Sequence, residues 1–170
     1  MKKITRKAII IAIIAGILVL CDGIIAKLLN QTSSFTWVAF VSWTVFFGAT
    51  TKERLKAVLG YILGFLSAVA IIKIGNLFSG INTLYIAFGS ILATMIINFV
   101  IMQLENVEKY FPISISGIFV GIAMTFSGLG VGLTIDTLEN SILMLAIIMI
   151  YGILGLLCGW ATLKFGTKNQ

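Results

Sequence analysis

Ala8–Leu28 reads AIIIAIIAGILVLCDGIIAKL, a 21-residue apolar run broken only by Asp22 and Lys27. At about 1.5 Å of rise per residue, some 20 apolar residues carry a helix across the roughly 30 Å hydrocarbon core of a bilayer. Lys2, Lys3, Arg6 and Lys7 precede the run, so the segment resembles a secretory signal at first sight. It is too long for a cleaved apolar core, and no small-x-small site closes it. The large Leu20 fits poorly before Cys21 as a lipoprotein box. The stretch reads as an uncleaved first span.

The rest of the chain repeats this texture. Of its 170 residues 59% are apolar and 11% charged, and the mean hydropathy is +1.12; a soluble domain carries roughly a quarter charged residues. Lipid must therefore serve as the solvent, and helices satisfy their own backbone there. The expected fold class is an all-α polytopic membrane protein. It forms a single transmembrane domain of six transmembrane helices, with spans at about 8–28, 35–49, 55–77, 83–104, 112–133 and 140–165. Pro112, whose missing N–H suits a first helical turn, is expected to open the fifth.

Orientation follows from the basic residues. With six spans, Lys2, Lys3, Arg6, Lys7, Lys52, Arg54, Lys56, Lys109, Lys164 and Lys168 share one side with both termini. Only Lys27 and Lys73 fall on the other, each at a helix end. That asymmetry predicts an N-in, C-in multi-pass protein of the bacterial cytoplasmic (inner) membrane. It also accounts for the net charge of +6 through topology and contact with the lipid bilayer. Nucleic acid is not an expected partner, because the basic residues do not cluster around stacking aromatics.

Several chemistries find no support. There is no His, no nucleophile–base arrangement and no phosphate loop, so neither an enzyme nor a cofactor is expected. Cys21 and Cys158 are placed near opposite membrane faces, which argues against a mutual disulfide, and two cysteines alone make no zinc site. Thr50-x-x-Glu53 and Asp136-x-x-Glu139 have capping-box spacing. Glu105 and Glu108 read as a solvated turn.

A weak internal repeat divides the chain into two groups of three helices. Phe46-Phe47-Gly48 resembles Phe126-Ser127-Gly128, and Ile62-Leu-Gly-Phe-Leu-Ser67 resembles Ile153-Leu-Gly-Leu-Leu-Cys158. An odd number of spans per copy makes this a 3+3 inverted repeat, in which short or Gly-broken helices at matching positions point to a binding site.

The second and fifth spans are the irregular ones. The second is short and aromatic, with Trp37 suited to an interfacial belt and Trp43 and Thr44 near mid-span. In the fifth, Gly117, Gly121, Thr125, Gly128 and Gly132 share a face. That face serves either close helix packing or a pore wall, with Thr125 and Ser127 supplying hydroxyls. Asp22 is the acid deepest in a span and a functional candidate by default; Lys27 or Lys73 is its expected partner. Asn98 can act as interhelical glue or as a ligand group.

The aromatic second span, Trp37-Val-Ala-Phe-Val-Ser-Trp43-Thr-Val-Phe-Phe-Gly48, resembles that of the YcdZ-like family of small bacterial inner-membrane proteins of unknown function. So does the stretch from Phe111-Pro112 through Gly117-Ile-Phe-Val-Gly121-Ile-Ala-Met-Thr125-Phe-Ser-Gly128. The resemblance implies a compact multi-spanning protein and supplies neither substrate nor site residues. The expected function is a homo-oligomeric channel or facilitator for a small polar or neutral solute. A proton-coupled transporter using Asp22 is a variant, and a non-transporting scaffold or regulatory subunit is the rival.

Overall fold

The computed structural model describes residues 6–31, 35–82, 87–104 and 110–166. Within them the chain is all helical, without strands: α1 (Arg6–Leu28), α2 (Thr36–Val45), α3 (Thr51–Leu77), a 3-10 turn (Ser79–Ile81), α4 (Phe88–Gln103), α5 (Ile115–Gly130) and α6 (Leu138–Gly166). Lys2, Lys3, Lys109, Lys168, Glu105 and Glu108 lie outside the described residues.

Among the described residues three helices are long and apolar enough to cross a membrane: Ile9–Leu28 of α1, then α3 and α6. The others are shorter than the apolar runs that contain them. α2 has 10 residues, and α4 and α5 have 16 each. Those lengths span about 15 and 24 Å, against roughly 30 Å of hydrocarbon. The fourth and fifth helices thus fall inside the limits expected for them, 83–104 and 112–133.

Local chemistry sets the helix ends. Ahead of α3 the capping box forms as its spacing requires. The Thr50 N–H donates to Glu53 Oε2 at 2.6 Å, and the Glu53 N–H donates to Thr50 Oγ1 at 3.3 Å. At α5 the expectation is corrected: the helix opens at Ile115, because Ser114 Oγ accepts from the Gly117 N–H at 3.1 Å. Pro112 lies in the preceding bend. At α6 the cap is one residue later than expected. Thr137 Oγ1, not Asp136, accepts from the N–H of the third helical residue, Asn140, at 3.2 Å, and the Asn140 amide reaches back to Thr134 Oγ1 at 2.8 Å. Gly48 (φ 88°) and Gly132 (φ 96°) turn the chain after α2 and α5 in the left-handed region.

The chain divides into two compact units of interleaved sequence. The first unit comprises residues 1–54 and 147–170, and the second comprises 55–146. The first therefore holds α1, α2 and most of α6; the second holds most of α3, then α4 and α5.

In the second unit α3 and α5 run parallel with their backbones in contact. A Cβ at Gly60 would lie 2.8 Å from Gly117 Cα, and one at Gly64 would lie 2.7 Å from Gly121 Cα. Small residues allow this approach, and in lipid such van der Waals packing drives helix association. α3 then turns into α4, where Asn82 Oδ1 accepts from the Gly89 N–H at 2.8 Å. Gly75 and Gly89 keep that hairpin tight: a Cβ at Gly89 would stand 2.6 Å from Gly75 O.

In the first unit α2 and α6 are also parallel. A Cβ at Gly155 would lie 2.7 Å from Ser42 Cβ and 2.9 Å from Trp43 N. Ser42 Oγ donates to Gly152 O at 2.7 Å, tying the two helices across the seam. Near the C-terminal end of α6, Lys164 Nζ sits 4.6 Å from the Trp160 ring centroid, an arrangement that keeps both the charge and the indole at a polar–apolar boundary.

Glycines inside and outside these seams should respond oppositely to one methyl group. Gly121→Ala forces a Cβ to within 2.7 Å of Tyr61 O and is expected to lower stability by about 1–3 kcal/mol. Gly16→Ala, with nothing within 4 Å, should be neutral or raise stability by a few tenths of a kcal/mol up to about 1. Unfolding in detergent micelles, followed by circular dichroism, compares the two.

Candidate functional site

The first unit contains a buried carboxylate. Asp22, about three-quarters of the way along the apolar α1, is only 7% exposed. Its Oδ1 accepts from the Tyr151 hydroxyl of α6 at 2.5 Å and from the backbone N–H of Phe35, the N-cap of α2, at 3.2 Å. Three elements therefore meet at one oxygen atom. Phe35 offers α2 no side-chain cap of its own, and Asp22 brings negative charge from another helix to an N-terminus that favours it.

Asp22 was expected to pair with Lys27 or Lys73; the donors found on its Oδ1 are a phenol and a peptide N–H. Lys27 and Lys73 are both exposed. The physical reason is helical phase: Lys27, five residues on, points away from the face that carries Asp22 inward.

Around the carboxylate the surroundings are aromatic and close. Phe35 is fully buried, its ring centroid 6.0 Å from that of Tyr151. Thr36 is buried beside it. Trp37, half-buried, has its indole N–H covered by protein and, among the described residues, without a hydrogen-bond partner. Nothing in the sequence other than the depth of Asp22 marked the cluster. Tyr151 was missed because one Tyr in an apolar run carries no motif.

Other candidates lie elsewhere. Trp43 is buried and stacks on Phe40, with centroids 5.8 Å apart and 14° between planes. With Thr44, Ile11 and Phe47 it lines an open recess of about 320 Å³, but the Thr44 hydroxyl donates to Phe40 O on its own helix. In the second unit, Gly117 and Gly121 face the α3 backbone, and the buried Thr125 donates to Gly121 O at 2.8 Å. Gly128 lies against Met144, while Ser127 is exposed. The face expected to serve packing or a pore therefore packs over Gly117 and Gly121.

A second recess in the first unit, about 450 Å³, is lined by Ile10, Ile14, Leu18, Cys21, Leu154 and Cys158 among others. Cys21 and Cys158 thus border one groove instead of opposite membrane faces, because α1 and α6 lie side by side; both thiols are free. Arg54, one of the basic residues placed on the side of both termini, is buried, with Nε and Nη2 unpartnered among the described residues.

Residues 8–166 match the family described as Protein of unknown function (DUF1097). The chain belongs to the DUF1097 family. No curated protein and no solved structure matches it. Membership in DUF1097 therefore fixes kinship with an uncharacterised family, and the chemistry has to be read from the residues. Apolar helices, a buried acid and free thiols are what this DUF1097 chain supplies.

The Asp22–Tyr151 hydrogen bond should appear as energetic coupling. Asp22→Ala leaves the Tyr151 hydroxyl and the Phe35 N–H without their acceptor and is expected to cost about 1–3 kcal/mol. In a double-mutant cycle with Tyr151→Phe, thermal unfolding should give a coupling of about 0.5–3 kcal/mol. Strict additivity would contradict the hydrogen bond.

Proposed function

We propose that this chain is a multi-spanning transporter or facilitator for a small polar solute in the bacterial cytoplasmic membrane, and that Asp22 is its working group. The observation that carries the reading is the buried carboxylate itself. An ionisable group in an apolar helix is costly, and it persists where a substrate, a proton or a structural partner uses it. Here Asp22 sits against Tyr151 and the start of a ten-residue helix, and short helices in a membrane domain mark solute sites.

Six crossings are part of this proposal. The parallel course of α3 and α5, and of α2 and α6, agrees with successive crossings, since helices two or four apart must run the same way. α2, α4 and α5 would meet the bilayer through their polar flanks or local thinning. The kinship with YcdZ-like proteins and the homo-oligomeric state belong to the same reading.

A non-transporting scaffold is the second reading, and a specific observation favours it. Gly117 and Gly121 are filled by α3 backbone, and the Thr125 hydroxyl is turned onto its own helix, so these groups no longer argue for a pore.

Purified protein in liposomes should pass at least one small polar solute in an uptake screen run with and without a pH gradient. Asp22→Asn should reduce that flux at least tenfold. Flux no greater than in empty vesicles for every solute would favour the scaffold. Topology is checked separately, in a chain whose two native cysteines are replaced by alanine. Gly80→Cys should react with an impermeant maleimide from outside intact cells, and Lys52→Cys should not; the reverse pattern would overturn the orientation.

A further inference from the structure

The two units can be compared contact by contact. In the second, Gly64 of α3 lies against Ile118 O, Gly121 Cα and Ile122 N of α5. In the first, Gly155 of α6 lies against Ala39 O, Ser42 Cβ and Trp43 N of α2. Both sets are a carbonyl, the residue three further on and the N–H four further on. This pairs Ala39 with Ile118, Ser42 with Gly121 and Trp43 with Ile122, at a constant step of 79 residues.

The neighbouring contacts obey the same correspondence. Gly121 meets Tyr61 O in one seam, and Ser42 donates to Gly152 O in the other. The N-caps also match, Phe35 for α2 and Ser114 for α5. Gly64 pairs with Gly155 as the motif in the third and sixth helices predicts. In the second and fifth helices the true step is one residue less than the alignment of Gly48 with Gly128.

Against this correspondence one position stands out. Gly60 of α3 lies against Ser114 O and the Gly117 backbone; its counterpart is Tyr151, whose ring faces Phe35, the counterpart of Ser114. A Cβ at Gly60 would lie 2.8 Å from backbone atoms, so a tyrosine at that place requires the α2–α6 seam to open toward the start of α2. Asp22 enters from α1 at that opening. Where Ser114 caps α5 locally, the first unit uses a carboxylate from another helix and a phenol to hold it.

We infer that the two units are copies of one three-helix arrangement, and that Tyr151, standing where the second copy has glycine, is the positioning residue that sets Asp22 at the start of α2. The functional side of this inference rests on the reading of Asp22 as the working group. The titratable neighbours are few. Among the described residues α6 brings Tyr151 and, on the groove shared with Cys21, Cys158; α2 carries no titratable side chain, and on α1 Cys21 adjoins Asp22 while Lys27 is exposed.

The test is an infrared pH titration of the full-length protein in liposomes, with the band lost in Asp22→Asn assigned to the protonated Asp22 carboxyl. Tyr151→Phe keeps the ring and removes the donor. Its titration should move toward alkaline pH by roughly one to two units, since one hydrogen bond to a charged group is lost. Ser42→Gly, which copies Gly121, should leave the titration in place. Should Tyr151→Phe fail to fold, Tyr151→3-fluorotyrosine keeps ring and hydroxyl and, as the stronger donor, should move the titration toward acid. A folded Tyr151→Phe that titrates with the wild type, or a fluorotyrosine variant that does not shift, overturns the assignment. A Ser42→Gly shift as large as that of Tyr151→Phe would do the same by removing its specificity. The titration needs no solute: a shift without any flux leaves Tyr151 in its role and removes only the transport reading.

Discussion

Backbone-to-backbone contact between parallel helices is the constraint on which the rest depends. In lipid, apolar side chains gain little by leaving the solvent, so helices must hold each other by close van der Waals approach. Gly64 on Gly121 and Gly155 on Ala39 provide that approach, one seam in each unit. The long helices α3 and α6 are the common partners: each presents its glycines to a shorter helix. Once a seam is fixed, the rotation of both helices is fixed as well, and with it the direction of every other side chain they carry.

The carboxylate at Asp22 follows from that geometry. α6 is rotated by the Gly155 contact so that Tyr151, four residues earlier and one turn away, faces the start of α2. That start has no side-chain cap of its own, since Phe35 stands at the N-cap position. A carboxylate from α1 and a phenol from α6 meet the exposed N–H there, and all three become mutually satisfied. The polar centre is therefore a consequence of where the apolar seam closes and where it is propped open. Among the described residues of the second unit, glycine at Gly60 stands where Tyr151 stands in the first, and Ser114 caps the shorter helix locally.

Much of the architecture was legible in the sequence. The long apolar runs marked α1, α3 and α6, because length and composition alone decide whether a helix can cross a bilayer. The Thr50–Glu53 capping box was legible for the same local reason, as its two hydrogen bonds involve residues three apart. The likeness of Ile62–Ser67 to Ile153–Cys158 aligned Gly64 with Gly155, and each of these glycines lies against the backbone of a shorter helix. What was not legible depends on tertiary partners. The glycine face of the fifth helix read as packing or pore, and only the α3 backbone against Gly117 and Gly121 decides for packing. The joining of Asp22 to a tyrosine 129 positions away arises from helix rotation, which a nearly all-apolar helix does not record. The same silence hid the proximity of Cys21 and Cys158 to a common groove.

The interleaving of the units bears on how the chain is made. Residues 55–146 are contiguous, so the second unit has all its parts once that stretch has left the ribosome. The first unit draws on two separated stretches: α1 and α2 emerge early, then wait for α6, which follows α5. Until then Gly155 and Tyr151 are absent, the α2 seam has no partner, and Asp22 stands in the membrane without its phenol. Domains generally assemble in the order of synthesis, and here that order is reversed. Of the two units, the one that begins first finishes second, and translation of α6 is the event that completes the polar centre.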